Sequence, residues 1–258
     1  LRDYADDIKT DNMGNLIVFK KGCAENAKKL MLAGHMDEIG FIVTHIDDKG
    51  FLRINPIGGI SFTSAAYGTV VFENGTKGGI VPENGVGAGD YRADKFVIDI
   101  GANSREDAEK YVHVTDVCSV EPHIEKLANG FYSGRPFDDK AGCAIMIRAA
   151  LHTPNPQNDT YFVFTVQEEV GCRGSKTSAY SIAPDFSVIP LAASRWRFIS
   201  ARVLLSRSRI RRLFATGDSS RRSKILQKRK IFRISLRFSR VAEPILHRCR
   251  WLQGAASY

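Results

Sequence analysis

The amino-acid sequence predicts an α/β domain that carries a β-rich insertion, and two observations lead to this fold class. From Asn15 to about Asp99, short apolar runs rich in β-branched and aromatic residues alternate with clusters of Gly, Asn and Asp. This spacing is typical of strands that are joined by turns. Helical patterns and one more apolar run follow this stretch. Strands and helices interleaved around a β-only middle predict an α/β domain with a β insertion.

The elements after the β-rich stretch follow in chain order. Ser104 is a suitable N-cap for a short helix, with Asp107 in the capping-box position. A longer helix is predicted from about 139 to 151, where apolar residues recur on one face. The run 161–166 is almost entirely apolar, as in a strand that is covered on both faces of a sheet. A last helix is predicted over 175–182.

The composition is that of a soluble globular chain. The 258 residues are 43% hydrophobic and 25% charged, and no window has the ~18 consecutive apolar residues of a membrane helix. The N-terminal run LRDYADDIKT lacks the apolar stretch of a secretory signal peptide. An odd number of cysteines without CxxC spacing predicts neither a disulfide framework nor a cysteine-based zinc site. These cysteines are Cys23, Cys118, Cys143, Cys172 and Cys249. We therefore expect a cytoplasmic protein without a membrane partner.

Charge divides the chain into two dissimilar parts. Residues 190–258 contain 18 Lys and Arg against Asp218 and Glu243, a net charge of +16. Residues 1–189 contain the other 19 basic residues against 26 acidic ones, a net charge of −7. A general affinity for nucleic acid therefore cannot be inferred from the overall charge of +9.

The first cluster of candidate site residues follows the apolar run KLMLA. His35 and Asp37 lie two positions apart, so on a strand their side chains point the same way. A histidine with a nearby carboxylate can serve as a metal ligand and the group that orients it. A solvated strand end is the alternative for this pair taken alone.

The second cluster precedes the longer predicted helix. Asp138 and Asp139 stand where a carboxylate would be favoured by the helix N-terminus. Capping of the helix is therefore one interpretation. A carboxylate at such a rigid position can also bridge two metal ions, and the sequence leaves both interpretations open.

The third cluster ends the apolar run YFVFTV. Adjacent carboxylates there carry a cost of desolvation and repulsion, which favours a cation or a catalytic role. Successive strand residues face opposite sides, so Glu169 can hold a metal ion while Glu168 acts on water. This division of labour is typical of metallohydrolases.

The three clusters together resemble one enzyme family. HMDEIGF, RPFDDKAGC and QEEVGCRGSKTSAY, supported by YADDIKTDNMGNLIVFKKG and FVIDIGANSREDAEKYVHVTDVCSVEP, resemble metallopeptidase family 42. This family contains the tetrahedral, glutamyl and deblocking aminopeptidases. The resemblance covers residues 1–189.

The resemblance implies a role for each residue of the candidate site. His35 would bind one metal ion, Asp138 would bridge two, and Glu169 would be a terminal ligand. Glu168 would be the general base, and Asp37 would orient His35. The implied cofactors are two divalent metal ions, zinc or cobalt, and the implied reaction removes N-terminal residues from peptides.

The resemblance also implies a domain organisation and an assembly. It predicts a zinc-peptidase-like sheet flanked by helices, with a small β-barrel insertion used in assembly. We assign the catalytic domain to 1–53 and 129–189, the insertion to 54–128, and a separate basic segment to 190–258. Family members usually form dodecamers, and we do not expect the present chain to do so.

The sequence departs from the family pattern at both ends. Family members begin with a further helix, so a chain that starts at LRDYADD is expected to be N-terminally incomplete. After Ile189 the family continues with an Asp ligand, a Gly-Gly-Gly-Thr-Asp loop and a His ligand, whereas this chain reads LAASRWRFISARV. With those ligands missing, we expect weak metal binding and little or no turnover.

A shifted reading frame relates the basic segment to the same family. Codons read from the third base of one residue and the first two of the next permit TVKIKD over 204–210, NIPYQLEIL over 230–239 and PGGGTDTA over 239–247. These strings resemble the C-terminal region of the family, in order and in one frame. We predict that 190–258 is an out-of-frame translation and is poorly ordered.

Two alternative functions stay open. A genuine basic tail on a non-catalytic remnant could neutralise phosphates, although no RNA-binding motif or aromatic platform is visible, so nucleic acid is not expected as a partner. A glycoside hydrolase would need an acid–base carboxylate pair that flanks a sugar site. The carboxylates here are better explained as metal ligands.

Overall fold

The computed structural model describes residues 1–195, 198–207 and 232–233. The chain divides into two compact units. Unit 1 comprises Leu1–Asp37 and Ile124–Tyr258, and unit 2 comprises Glu38–His123. Unit 2 is therefore inserted into the sequence of unit 1.

Unit 1 contains a mixed seven-stranded sheet. Its strands, numbered along the whole chain, are β1 (Asp7–Thr10), β2 (Leu16–Lys20), β3 (Lys29–His35), β12 (Asp159–Thr165), β13 (Phe186–Arg195), β14 (Phe198–Arg207) and β15 (Phe232–Arg233). They lie in the order β1-β2-β12-β3-β13-β14-β15. Strand β3 pairs in parallel with β12 and with β13, and the remaining pairs are antiparallel.

Two helices of unit 1 cover opposite faces of this sheet. They are α3 (Lys140–His152) and α4 (Arg173–Ile182). Phe162 and Phe164 of β12 share a buried cluster with Met146 of α3. Val163, which lies between them, shares a different cluster with Ile182 of α4. Because successive strand residues face opposite sides, this confirms the α/β class and the prediction that 161–166 is covered on both faces.

Unit 2 is a closed six-stranded barrel, which confirms the β-barrel insertion. Its strands are β4 (Gly40–Ile46), β5 (Leu52–Ile57), β6 (Thr69–Phe72), β7 (Lys77–Pro82), β8 (Phe96–Asp99) and β9 (Val117–Val120), and its short helices are α1 (Phe62–Ala65) and α2 (Arg105–Ala108). The order around the barrel is β4-β5-β8-β7-β6-β9. Phe41, Leu52 and Ile80 are fully buried in its core, where each large apolar side chain contributes about 1.5–3 kcal/mol.

Helix α2 begins as the sequence predicts. The Oγ of Ser104 accepts a hydrogen bond from the Asp107 main-chain N at 3.2 Å, which satisfies one N–H group at the start of the helix. Asp107 in turn accepts from the main-chain N of Asn103 at 3.2 Å. The reciprocal contact therefore reaches one residue further than an ideal capping box.

The bounds of the insertion differ from those expected. We assigned it to 54–128, whereas unit 2 spans Glu38–His123. The reason is that β4 and β5 pair with each other and with β9 and β8 in the barrel, although the sequence does not show which sheet a strand joins. Two further strands, β10 (His123–Lys126) and β11 (Tyr132–Arg135), form a separate two-stranded sheet.

The prediction of disorder over 190–258 falls mostly on residues outside those that the structure describes. Of this segment, 190–195 belongs to β13, and β14 and β15 are also described. In the described part of the chain, no helix has the length and apolar character needed to cross a membrane.

Candidate active site

The candidate site lies at the carboxyl ends of two adjacent parallel strands. In the register of β3 with β12, His35 is the partner of Thr165. Both strands end there, so the residues after β12 emerge beside His35. The main-chain N of Met36 also donates to the carbonyl of Thr165 at 2.7 Å. Parallel pairing thus brings two of the three sequence clusters together.

The His35 imidazole contacts oxygen atoms from three segments. Its side chain is only 5% exposed. Nε2 lies 3.1 Å from Oδ1 of Asp138 and 3.9 Å from Oε2 of Glu168. Nδ1 lies 2.9 Å from the main-chain carbonyl of Asp37. One ring nitrogen therefore faces two carboxylates, while the other is held by the backbone.

These surroundings alter the pKa of His35. Burial by itself lowers it, but the hydrogen bonds with the Asp138 carboxylate and the Asp37 carbonyl raise it. With the added negative charges of Glu168 and Asp139, the pKa of His35 is about 9. Near neutral pH the imidazole thus carries a proton between carboxylates, and a cation bound at Nε2 would have to displace it.

The two aspartates before α3 have different surroundings, and only Asp139 caps the helix. Asp139 is buried and is the N-cap, since its Oδ1 accepts from the Gly142 main-chain N at 3.1 Å. A Cβ atom at Gly142 would lie 2.3 Å from that oxygen, and one at Gly34 would lie 2.9 Å from the other. The two glycines therefore leave room for the cap. Asp138 has a side chain that is 62% exposed and faces His35.

Asp37 holds the segment that carries the paired glutamates. Its Oδ1 accepts from the main-chain N of Glu168 at 3.0 Å, and its Oδ2 accepts from that of Glu169 at 3.1 Å. Its carboxylate lies 3.7 Å from Nδ1 of His35, farther than its main-chain carbonyl. The closest contact with His35 therefore comes from the backbone of Asp37.

Glu168 and Glu169 differ in their surroundings. The side chain of Glu168 is 36% exposed, and its Oε1 accepts a hydrogen bond from the Cys172 thiol at 3.0 Å. Burial raises the pKa of Glu169; nearby His35 lowers it, and the negative charge of Asp138 raises it again. Glu169 is thus a carboxylate that a cation would stabilise.

Sequence reasoning missed two residues that contact this segment. Cys172 bonds Glu168, and Asn15, which is buried, bonds the main chain of Val166. Cys172 is four residues from Glu168 and lies inside the QEEVGCRG motif. Asn15 is 151 residues from Val166, so only the turn sequence DNMGN could have drawn notice to it.

The candidate site contains atom types that bind divalent cations, but only a small number of them. An imidazole nitrogen and carboxylate oxygens are ligands that zinc and related metals accept. Within residues 1–195 and the other described positions, however, no group of three or more His, Cys, Asp and Glu is arranged to hold a metal ion. The described residues thus fit part of a coordination shell.

Comparison with known proteins identifies relatives of one kind. The family model described as M42 glutamyl aminopeptidase matches residues 14–190. A putative aminopeptidase of Acetivibrio thermocellus is 44% identical over 199 residues, which cover 73% of this chain and 56% of the relative. The chain spans about half the length of the curated relatives it matches.

Solved structures agree with the sequence matches. Aminopeptidase APDkam598 from the archaeon Desulfurococcus kamchatkensis has a TM-score of 0.70 at 35% identity, over 74% of this chain and 55% of that one. The TET1 peptidase of Pyrococcus horikoshii, which can assemble into a tetrahedron or a large octahedral shell, has a TM-score of 0.63 at 33% identity, over 74% and 60%. The family match ends at residue 190, where the charge balance of the sequence changes.

Proposed function

Because this chain belongs to the M42 glutamyl aminopeptidase family, we propose that its site is that of a metal-dependent aminopeptidase, which removes N-terminal residues from peptides. The observation that carries the proposal is the convergence on His35 Nε2 of carboxylates from two other segments, Asp138 and Glu168. The relatives that it matches are named aminopeptidases.

The proposal assigns the cation ligands to three residues. His35, Asp138 and Glu169 would hold divalent cations, zinc or cobalt, with Asp138 shared between two of them. The donor types and the raised pKa of Glu169 support this assignment. A divalent cation held by these residues would polarise the scissile carbonyl and lower the pKa of water.

Glu168 is the proposed general base. Its carboxylate would take a proton from the attacking water and pass it to the leaving amine. Its partial exposure leaves it accessible to water. Two hydrogen bonds hold Glu168 in place. The Cys172 thiol donates to its side chain, and its main-chain N donates to Asp37. Asp37 would thus orient both Glu168 and, through its carbonyl, His35.

We further propose that the 258-residue chain by itself binds cations weakly and turns over little substrate. The support is the number of donors, since the described residues contain no ready group of three. Peptides are the proposed substrates, and the proposed location is the cytoplasm. Assembly as a homo-oligomer is proposed for longer members of the family, on the example of the Pyrococcus horikoshii peptidase.

The test combines binding and hydrolysis. Binding of Co²⁺ or Zn²⁺ is measured by isothermal titration calorimetry, and hydrolysis by release of p-nitroaniline from lysyl, glutamyl and leucyl p-nitroanilides. Glu168→Gln should lower any metal-dependent rate at least about 100-fold, within the ~10²–10⁴-fold contribution of general acid–base groups. Glu25→Gln, at an exposed position before β3, is the matched control. Hydrolysis that survives both a chelator and Glu168→Gln would refute the proposal.

For residues 190–258 we propose an out-of-frame origin. The support is the abrupt change to a net charge of +16 at the point where the family match ends. Sequencing the DNA from codon 185 onward in all three frames tests this. A shifted frame that encodes Gly-Gly-Gly-Thr-Asp and a downstream His would agree with it, whereas incompatible codons would make the basic segment genuine and nucleic-acid binding the next assay.

A further inference from the structure

We infer that Asn15 is a positioning residue for the carboxylate loop, residues 167–172, which carries Glu168 and Glu169. The inference rests on the proposed function, because it assigns a role relative to those two carboxylates. Asn15 is 0% exposed and directly precedes β2. Its side chain nevertheless reaches the main chain on both sides of the carboxylate loop.

The carboxylate loop is closed at its neck by backbone hydrogen bonds. Gly174 N donates to the carbonyl of Val166 at 3.1 Å, and Arg173 N donates to that of Gln167 at 3.0 Å. Asn15 adds two bonds at the same neck. Its Oδ1 accepts from Val166 N at 3.0 Å, and its Nδ2 donates to the carbonyl of Gly174 at 3.0 Å. The carboxamide thus bonds both sides of the neck as the peptide group of another strand would.

The Asn15 carboxamide is tightly surrounded, and its neighbours fix the orientation of its oxygen and nitrogen. A Cβ atom at Gly174 would lie 2.2 Å from Asn15 Oδ1 and 2.4 Å from the carbonyl oxygen of Val166, so glycine is needed there. Asp11 Oδ2 accepts a further hydrogen bond from Asn15 Nδ2 at 2.8 Å. A flipped carboxamide would place donors against Val166 N and acceptors against two oxygens. Asp11 therefore fixes which end of the carboxamide faces each side of the neck.

The conformation of the carboxylate loop explains why it needs such support. Gln167 and Cys172, its two end residues, have positive φ values of 56° and 55°. This left-handed region is unfavourable for residues other than glycine and persists where the surrounding structure holds it. Asp37 holds the middle of the loop through the main-chain N atoms of Glu168 and Glu169. Asn15 holds the neck on either side of it, at Val166 and Gly174.

The first experiment measures amide hydrogen exchange in Asn15→Ala, using the full chain. Val166, Arg173 and Gly174 amides should exchange about tenfold faster, as expected for the loss of about one net hydrogen bond, while the amide of Ile98 in the barrel keeps its rate. Asn12→Ala makes the same change three positions earlier, at an exposed residue, and should leave all rates as they are. Unchanged exchange at the neck in Asn15→Ala would overturn the inference.

The second experiment measures Co²⁺ binding, using the metal alone. Asn15→Ala should weaken binding about tenfold, since groups that orient ligands contribute about 10–100-fold in metal affinity. Ile182→Val, which shortens a buried side chain of the same unit away from the neck, is the control for lost stability and should bind as the wild type does. Equal weakening by both variants would reduce Asn15 to a purely structural role.

A second variant covers the case in which Asn15→Ala does not fold. Asn15→Asp keeps the size and the acceptor for Val166 N, but it sets an oxygen against Asp11 and Gly174. Adding Asp11→Asn restores a side-chain hydrogen bond between positions 11 and 15. The hydrogen bond to the Gly174 carbonyl stays broken. In the double variant the Val166 amide should stay protected, because its acceptor is kept, whereas fast exchange of the Arg173 and Gly174 amides should persist. Full recovery of wild-type exchange rates would mean that Asn15 acts only within the turn 11–15. That result would overturn the inference.

The two hypotheses fail in different ways. A wild-type chain that binds no Co²⁺ would contradict the proposed cation site. The exchange rates at the neck would still decide whether Asn15 holds the carboxylate loop.

Discussion

The two units of the chain differ in what they bury. Unit 2, every residue of which is described, buries only apolar side chains, a cysteine and glycines. Unit 1 also buries polar side chains in its described part, namely Asn15, His35, Asp139, Thr160, Thr165, Ser178 and Ser187. A buried polar group left without partners costs about 1–3 kcal/mol. The buried side chains of the barrel therefore carry no such cost, whereas those of unit 1 include polar groups that need hydrogen-bond partners.

Part of the polar interior of unit 1 lies at the candidate site. His35 is one of the proposed ligands, Asp139 caps the helix that follows Asp138, and Asn15 bonds the neck of the carboxylate loop. These three side chains are all hydrogen-bonded, as most buried polar groups are. The unit that contains the candidate site is thus also the one whose interior depends on specific hydrogen-bond partners.

The largest expected effect concerns the barrel. Phe41→Ala removes a fully buried ring and should lower the free energy of unfolding of unit 2 by about 3–5 kcal/mol. Urea denaturation measures the loss, and exchange at the Ile98 amide assigns it to the barrel. Val114→Ala, at an exposed residue, should stay within about 0.5 kcal/mol. A loss for Phe41→Ala no larger than that of Val114→Ala would contradict a stabilising role of Phe41 in the barrel core.

The next effect is a difference in cation binding between variants of the two units. His35→Ala should weaken Co²⁺ binding by more than about 100-fold, because even groups that only orient a ligand contribute ~10–100-fold. His45→Ala makes the same change at an exposed position of the barrel and should leave binding unaltered. Calorimetric titration of both variants with Co²⁺ measures the two affinities. Equal loss in the two would show that the cation does not bind at the ends of β3 and β12.

A smaller effect is the pH dependence of stability in cation-free protein. The pKa of His35 is raised from 6.5 to about 9 in the folded chain. The stability that protonated His35 contributes to the folded state is thus fully present below pH 6.5, and it is lost as the pH rises through 9. Urea denaturation at pH about 6 and about 10 should show a smaller fall in stability for His35→Asn than for the wild type. Parallel pH profiles would contradict this.

The smallest effect is a difference in thiol reactivity. Burial raises the pKa of Cys118, in the barrel core, to about 12, so almost no thiolate forms near neutral pH. Cys23 is exposed. Iodoacetamide should therefore label Cys23 in native protein and label Cys118 only after denaturation, as read by mass spectrometry. Rapid labelling of native Cys118 would mean that the barrel opens readily.

Local sequence patterns predicted the parts of the site that depend on neighbours in the chain. Apolar runs marked β3 and β12, and the acidic residues after them marked the sheet edge. The paired aspartates before α3 predicted a cap or a ligand. Asp139 is the cap, and Asp138 contacts His35. These signals are local because helix capping and strand alternation act over a few residues.

Contacts between distant segments were not predictable in this way. Asn15 reaches Val166 across 151 residues, and no periodicity encodes such a pair. The start of the barrel was also misplaced, because strands of an open sheet and of a barrel have the same alternation. Asp37 shows a subtler limit. Its carboxylate lies 3.7 Å from His35, but the sequence did not indicate that the same carboxylate holds the main chain of Glu168 or that the Asp37 carbonyl lies closer to His35.

The parallel pairing of β3 with β12 has a consequence for how the protein folds. Lys29 pairs with Asp159, and the whole of unit 2 lies between them in the chain. Closing so long a loop is entropically costly, and contacts of high sequence separation form slowly. A barrel that folds first would shorten the effective loop. The edge where His35 meets the carboxylate loop would then be completed late, after the insertion has reached its native topology.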